Sequence, residues 1–293
     1  MTIVTRQGAD KLSQLYTRKT TRFTGISCKA AVMGVALAAA GTSAMAVPPG
    51  PFKQTNIHFE TNASACDMGI QISFDTNGVT RGEVENPYGQ VVFNFGTAIG
   101  LESTSDLTEM FQERVEPPIT DLEIALGCAP SANAISLTDL LSSWPAGLYT
   151  FDGETKGVEL VGQARLSHKV PAGPEIIAPV DGSVVPHDAN LIVQWNKVTQ
   201  PIIPFLGPVV IAGYHVVVND ITNPVLAPGK TKTVFNADVS KSETSMLVPK
   251  QFLEPNSVYV FEVLATEKGG NQTITEGGIF CTLPMTAAAC AAR

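Results

Sequence analysis

Seven carboxylates fall within 22 residues: Glu102, Asp106, Glu109, Glu113, Glu116, Asp121 and Glu123, with Arg114 as the sole cation among them. Side chains of that type and density can hold a hard cation, share protons, or simply form a solvated acidic face. Four further carboxylates, Asp67, Asp75, Asp152 and Glu154, sit in or beside stretches that read as turns. Turn carboxylates often supply the oxygens that calcium requires, so these four are the calcium candidates of the sequence. No D-x-D-x-D-G spacing accompanies them, and a solvated acidic surface is the plainer reading. The four histidines, His58, His168, His187 and His215, lie far apart along the chain and read as structural. There is no G-x-S-x-G elbow, H-E-x-x-H, P-loop or strand-linked G-x-G-x-x-G. No catalytic residue and no cofactor other than calcium is therefore assigned, and an enzyme is not the expectation.

The compartment follows from the first residues and the cysteines. Arg18, Lys19, Arg22 and Lys29 precede an uncharged apolar run, Ala30 to Ala40, and Ala44-Met45-Ala46 supplies small residues for cleavage. Eleven apolar residues are too few to span a bilayer, which takes about 20, so residues 1–46 read as an export signal. Cys28 precedes the apolar run and is badly placed for lipid attachment. Removing residues 1–46 takes six Lys/Arg and one Asp away, leaving 13 basic and 26 acidic residues in the 293-residue chain's remainder. A net charge of −13 opposes a nucleic-acid partner and attraction to anionic lipid. Sixteen of those acidic residues, against six basic ones, lie between Val47 and Ala172. Four cysteines, Cys66, Cys128, Cys281 and Cys290, remain, and an oxidising compartment allows them to pair. Of three connectivities, Cys66–Cys128 with Cys281–Cys290 keeps each bond within one domain. The expected location is periplasmic or extracellular, with no membrane span in the mature chain.

The elements that would carry these groups are mainly strands. In the front half Ile70, Ile72 and Phe74 alternate with Gly69, Gln71 and Ser73, and Asp75-Thr76-Asn77-Gly78 has the chemistry of a hairpin turn. Strands follow at 82–85 and 90–95, separated by Asn86-Pro87-Tyr88-Gly89. The pattern then changes: Ser105 to Glu113 begins with cap-type residues, and Leu107, Met110 and Phe111 stand at helical spacing. A second short helix is expected at Ser136 to Leu141, then strands at 148–151 and 157–168. Residues 47–172 are accordingly an acidic, mostly β domain, a sandwich with one or two helical insertions.

After a proline-rich linker (170–174), seven strands occupy roughly 110 residues with turn signals between them. Ile176 to Val180 is a proline-interrupted strand, Trp195 closes the next, and Tyr214 opens the next. Leu253, Pro255 and Tyr259 have the spacing of a tyrosine corner, with Phe261, Val263 and Ala265 behind it. On these residues, 173–283 resembles a fibronectin type III domain, leaving 284–293 as a tail. The resemblance implies an immunoglobulin-like sandwich with Trp195 and Tyr259 in its core. The connection from Asn196 to Val209 is long and apolar for that family, and no Arg-Gly-Asp triplet occurs. The fold expected is all-β, two tandem sandwiches. The function expected is that of an exported, non-enzymatic interaction protein with a protein or glycan partner. The alternative is a carbohydrate-active enzyme or its accessory module, with the chemistry in the first domain.

Overall fold

The computed structural model describes residues 50–97, 106–222 and 234–293. The export segment and Glu102 lie outside the described residues. In the front half the strands are β1 (Gly50–Pro51), β2 (Gln54–Asn62), β3 (Asp67–Val79), β4 (Arg81–Glu85), β5 (Val91–Gly96) and β6 (Leu107–Glu113). Helices α1 (Thr120–Leu126) and α2 (Leu137–Ser143) follow, then β7 (Gly147–Thr155) and β8 (Val158–Leu166). The back half contains β9 (Ile176–Ala178), β10 (Ser183–Val185), β11 (Leu191–Trp195), β12 (Ile211–Asp220) and β13 (Val234–Ser240). It ends with β14 (Ser245–Val248), β15 (Val258–Glu267), β16 (Gln272–Thr282) and α3 (Ala287–Cys290).

Both halves are two-sheet sandwiches of one strand order. In the back half, β9-β11-β14 faces a second sheet in which β13-β12-β15-β16 are successive neighbours, with β10 parallel to β16. This three-plus-four division is the fibronectin type III-like arrangement implied by the sequence. In the front half β2-β3-β6 takes the place of β9-β11-β14, and β5-β4-β7-β8 that of β13-β12-β15-β16. The small strand β1 runs parallel to β8, as β10 does to β16. The order departs only at the start, where the parallel strand precedes β2 in front but follows β9 behind. The helices α1 and α2 are an insertion between β6 and β7.

Local patterning explains most of these elements. Leu191, Val193 and Trp195 alternate inward with Ile192 and Gln194 outward, as a half-buried strand requires. Trp195 is buried with its ring 5.3 Å from that of Tyr214. Tyr259 closes the corner, its hydroxyl accepting from the Glu254 N–H at 2.7 Å. In front, Tyr149 sits at the same four-residue distance from Pro145 and donates to the Pro145 carbonyl at 3.1 Å. Each tyrosine thus ties its own arch to the central strand that follows.

Three expectations are corrected. Of the helix expected at 105–113, residues 106–113 do not form one: from Leu107 the chain is the edge strand β6, pairing Gln71–Glu113, Ser73–Phe111 and Asp75–Glu109 with β3, and residue 105 lies outside the described residues. Seven residues make a poor isolated helix, whereas the short sheet gains a third strand. Asp75-Thr76-Asn77-Gly78 is no hairpin turn either. The strand β3 runs through it with a register shift, and Gly78 at φ 134° helps bend the chain from one sheet into the other before β4. Asp75 and Asp152 stand within strands β3 and β7, whereas Asp67 opens β3 directly after the turn at 63–66 and Glu154 lies beside the turn at 156–157.

The halves are fused through a sheet. Strand β16 pairs in parallel with β2, from Gln272–Glu60 to Ile274–Asn62, so β13-β12-β15-β16-β2-β3-β6 is continuous. The β15–β16 turn anchors the joint. Asn271, fully buried, accepts from the Phe59 N–H at 2.9 Å and donates to the carbonyls of Ser167 at 2.8 Å and Lys169 at 3.0 Å. The apolar connection also has a clear place: Ile202 and Ile203 are buried in the front core, and the Ile202 N–H bonds to Val170. Phe205, in the 3-10 turn Pro204–Leu206, stays exposed.

Candidate functional site

Two groups of carboxylates emerge on outward sheet faces. On the eight-stranded sheet, Glu60 of β2, Glu113 at the end of β6 and Glu116 just beyond it each place an oxygen within 4.8 Å of the others. Gly69 makes this possible. A Cβ there would meet the Glu116 Cγ at 2.5 Å, so the missing side chain lets Glu116 lie across β3. Glu60 accepts from the side-chain amide of Gln272, a contact across the joint between the halves. Oxygens Glu116 Oε1 and Asp67 Oδ1 are buried with no hydrogen-bond partner.

The electrostatics match that geometry. Burial, together with the charges of Glu60, Asp67 and Glu113, pushes the Glu116 carboxyl up to about 7. Glu60 is raised chiefly by burial and then by Glu113, against hydrogen bonds from Gln272 and Gln71. Asp67 is also raised, again chiefly by burial. Arg114 does not relieve the crowding: its guanidinium donates to the Val92 carbonyl at 2.9 Å and lies 5.6 Å from the Trp144 ring centre. Three converging oxygens can share protons or present a partial shell to a hard cation.

The second group lines a groove of about 530 Å³ on the outer face of β5-β4-β7-β8. Strand register sets its rows. Val161, Asp152, Glu83 and Asn94 stand in line across the four strands, and Glu159, Glu154 and Arg81 form the row beside them. Arg81 is paired with Glu154 at 2.5 Å. A neighbouring hollow shares Asp152 and Val161 and extends the depression toward Thr150 and Gln163. The aromatic ring in the lining, Phe95, packs on Phe74 with centroids 4.7 Å apart.

The calcium candidates do not come together. Asp67 lies beside the first group, Asp75 is paired with Lys53 at 3.1 Å, and Asp152 and Glu154 belong to the groove. Among the described residues, the one convergent set of potential metal ligands is Glu60, Glu113 and Glu116. Within the acidic run, Asp121 accepts from the Leu137 N–H at 2.8 Å, and Glu123 from the Ser131 N–H at 2.8 Å; both hold the helical insertion. The histidines are dispersed. His58 is buried, which pushes its pKa down, His168 bonds the Trp144 carbonyl at 2.8 Å, and His215 bonds Asp238 at 2.8 Å. Glu60 escaped the sequence reading because nothing near it in the chain is acidic; only the pairing of β2 with β3 and β16 brings it to the others.

Sulfur pairing agrees with the expectation. Cys66 is joined to Cys128 and Cys281 to Cys290, so the last residues are tied back to β16 through α3. Among the described residues, no helix is long and apolar enough to cross a membrane.

No family model and no curated protein matches the chain. Among solved structures, the chain is similar to the FN1–FN3 domains of chicken CNTN1 at 11% identity and a TM-score of 0.27, covering 77% of this chain and 62% of that one. It is similar to a two-domain fibronectin type III segment of chicken tenascin at 13% identity and a TM-score of 0.25, covering 79% and 99%. The BSP domain of a biofilm-associated protein gives 14% identity and a TM-score of 0.22, covering 80% of this chain and 30% of that one. The fibronectin type III-like character of the back half stands on its strand order, Trp195 and the Tyr259 corner, and not on these superpositions.

Proposed function

We propose that the protein is an exported, non-enzymatic interaction module: two fused sandwiches that hold open sheet faces in fixed relation for a partner. The observation that carries this reading is the parallel pairing of β16 with β2. It turns two sandwiches into one stiff body whose outer faces extend across both halves. Export is supported by the basic and apolar N-terminal pattern and by two disulfides, which persist in oxidising compartments.

The competing reading, a carbohydrate-active enzyme, has Glu83 opposite Asp152 as its carboxylate pair. Against it, Phe95 is turned onto Phe74 and offers no stacking platform in that groove. Incubation with a panel of chromogenic glycosides and esters separates the two. The interaction reading expects no turnover above the protein-free rate. Turnover abolished by Glu83→Gln or Asp152→Asn would replace it with the enzyme reading.

A further inference from the structure

We propose that the groove across β5-β4-β7-β8 is the docking site of an extended, cationic polypeptide segment; this rests on the interaction-module reading and names its partner's chemistry. Register places Glu83 directly opposite Asp152 on neighbouring strands, and Glu154 directly opposite Glu159. Like charges facing each other across a ladder weaken a sheet. Only the second of these pairs has an internal cation, since Arg81 is committed to Glu154. Glu83 and Asp152 in the central row have no ion-pair partner among the described residues. A guanidinium or ammonium brought in by a partner would remove their repulsion, so the chain's own charge pattern selects the sign of the occupant.

The shape selects its form. The central row crosses four strands, about 14 Å at the usual ~4.8 Å spacing, which suits four or five residues of extended chain at ~3.3 Å each. At one end of that row Val161 is 44% exposed, a site for an apolar side chain beside the basic one. At the other end Asn94, exposed, offers both a donor and an acceptor to a backbone.

Other ligand classes fit less well. A bare metal ion needs converging oxygens, and the groove carboxylates do not form such a set, whereas Glu60, Glu113 and Glu116 do. A neutral sugar lacks a ring to stack on, because Phe95 faces Phe74. Nucleic acid and acidic glycans are repelled.

The test is fluorescence anisotropy of a labelled nine-lysine peptide with the full chain, at low and at physiological salt. Wild type is expected to bind, more weakly as salt rises. The double variant E83Q/D152N is expected to lose at least ~10-fold in affinity. D188N/E243Q, which removes the same charge from exposed positions elsewhere, is expected to change affinity less than ~2-fold. Melting temperature checks folding, and E83Q/D152N should melt no lower than wild type, since it relieves repulsion. Equal weakening by both double variants would reduce the effect to net charge and overturn the groove. Absence of peptide binding, or binding of calcium chloride alone that E83Q/D152N abolishes, would also overturn it. None of these outcomes bears on the turnover assay, so the groove can fail while the interaction reading survives.

Discussion

Glu116 shows how a single side chain acquires its character from neighbours remote in sequence. Its carboxyl lies over Gly69, with Glu60, Glu113 and Asp67 around it and an oxygen left without a partner. A carboxyl whose pKa is raised on folding holds its proton more tightly in the native state. Its contribution is therefore fully present below the unfolded pKa, near 4.5, and is lost as pH rises through about 7. Glu60 and Asp67 act in the same direction. Allowing for solvent around a half-buried group, the loss from Glu116 is on the order of 1 kcal/mol. Melting temperature should fall by a few degrees between pH 5 and pH 8, and Glu116→Gln should flatten that slope and raise stability at pH 8. Thermal melts across that range check it; an unchanged slope in the variant would show that Glu116 is not strained. The sequence contained the acidic run that supplies Glu113 and Glu116, but not the strand pairing that adds Glu60.

At the scale of elements, the helical insertion between β6 and β7 buries Leu122, Leu137 and Leu140 in the front core. Ser136 caps α2 by accepting from the Asp139 N–H, while Asp121 and Glu123 bond to backbone N–H groups outside their own helix. The Cys66–Cys128 bond fastens it to the β2–β3 turn and closes a loop of 62 residues. On the chain-entropy estimate such a bond is worth about 4 kcal/mol, with 2–4 kcal/mol usual in practice. Cys66→Ala/Cys128→Ala should lower the denaturant midpoint accordingly and make residues 120–143 the first site of proteolysis. Cleavage elsewhere first would show that the insertion does not depend on the bond. The Ser136 cap was legible from sequence, because a cap is a local event. The edge strand β6 was not. Its Leu107, Met110 and Phe111 fit a helix as well as a strand, and pairing with β3 decided between them. Pro145 to Tyr149 repeats the spacing of Pro255 to Tyr259, the one sequence signal that could have revealed the front half as a second sandwich of the same kind.

For the whole molecule the decisive feature is the joint. Asn271 satisfies the Phe59 N–H of one half and the Ser167 and Lys169 carbonyls that follow β8, while sitting in a turn of the other half. Asn271→Ala would leave those buried groups unpaired, at a cost of about 2–4 kcal/mol, and loosen the coupling of the halves. Calorimetry should find one transition in the wild type and a broadened or split one in the variant. A single, equally sharp transition in the variant would mean that β16–β2 pairing alone couples the halves.

The sequence by itself determined what local chemistry can determine. Alternation placed Leu191, Val193 and Trp195 inward, and the Leu253–Pro255–Tyr259 spacing marked the corner, because a strand face and a turn are settled within a few residues. Tertiary structure alone decided the edge identity of β6, the burial of Ile202 and Ile203 in the front core, and the sheet shared by both halves. It also decided the two carboxylate sites. Glu60 meets Glu113 and Glu116, and Glu83 meets Asp152, only through strand register. Register is a choice among long-range pairings, made by the burial of whole sheet faces, and no short stretch of chain contains it.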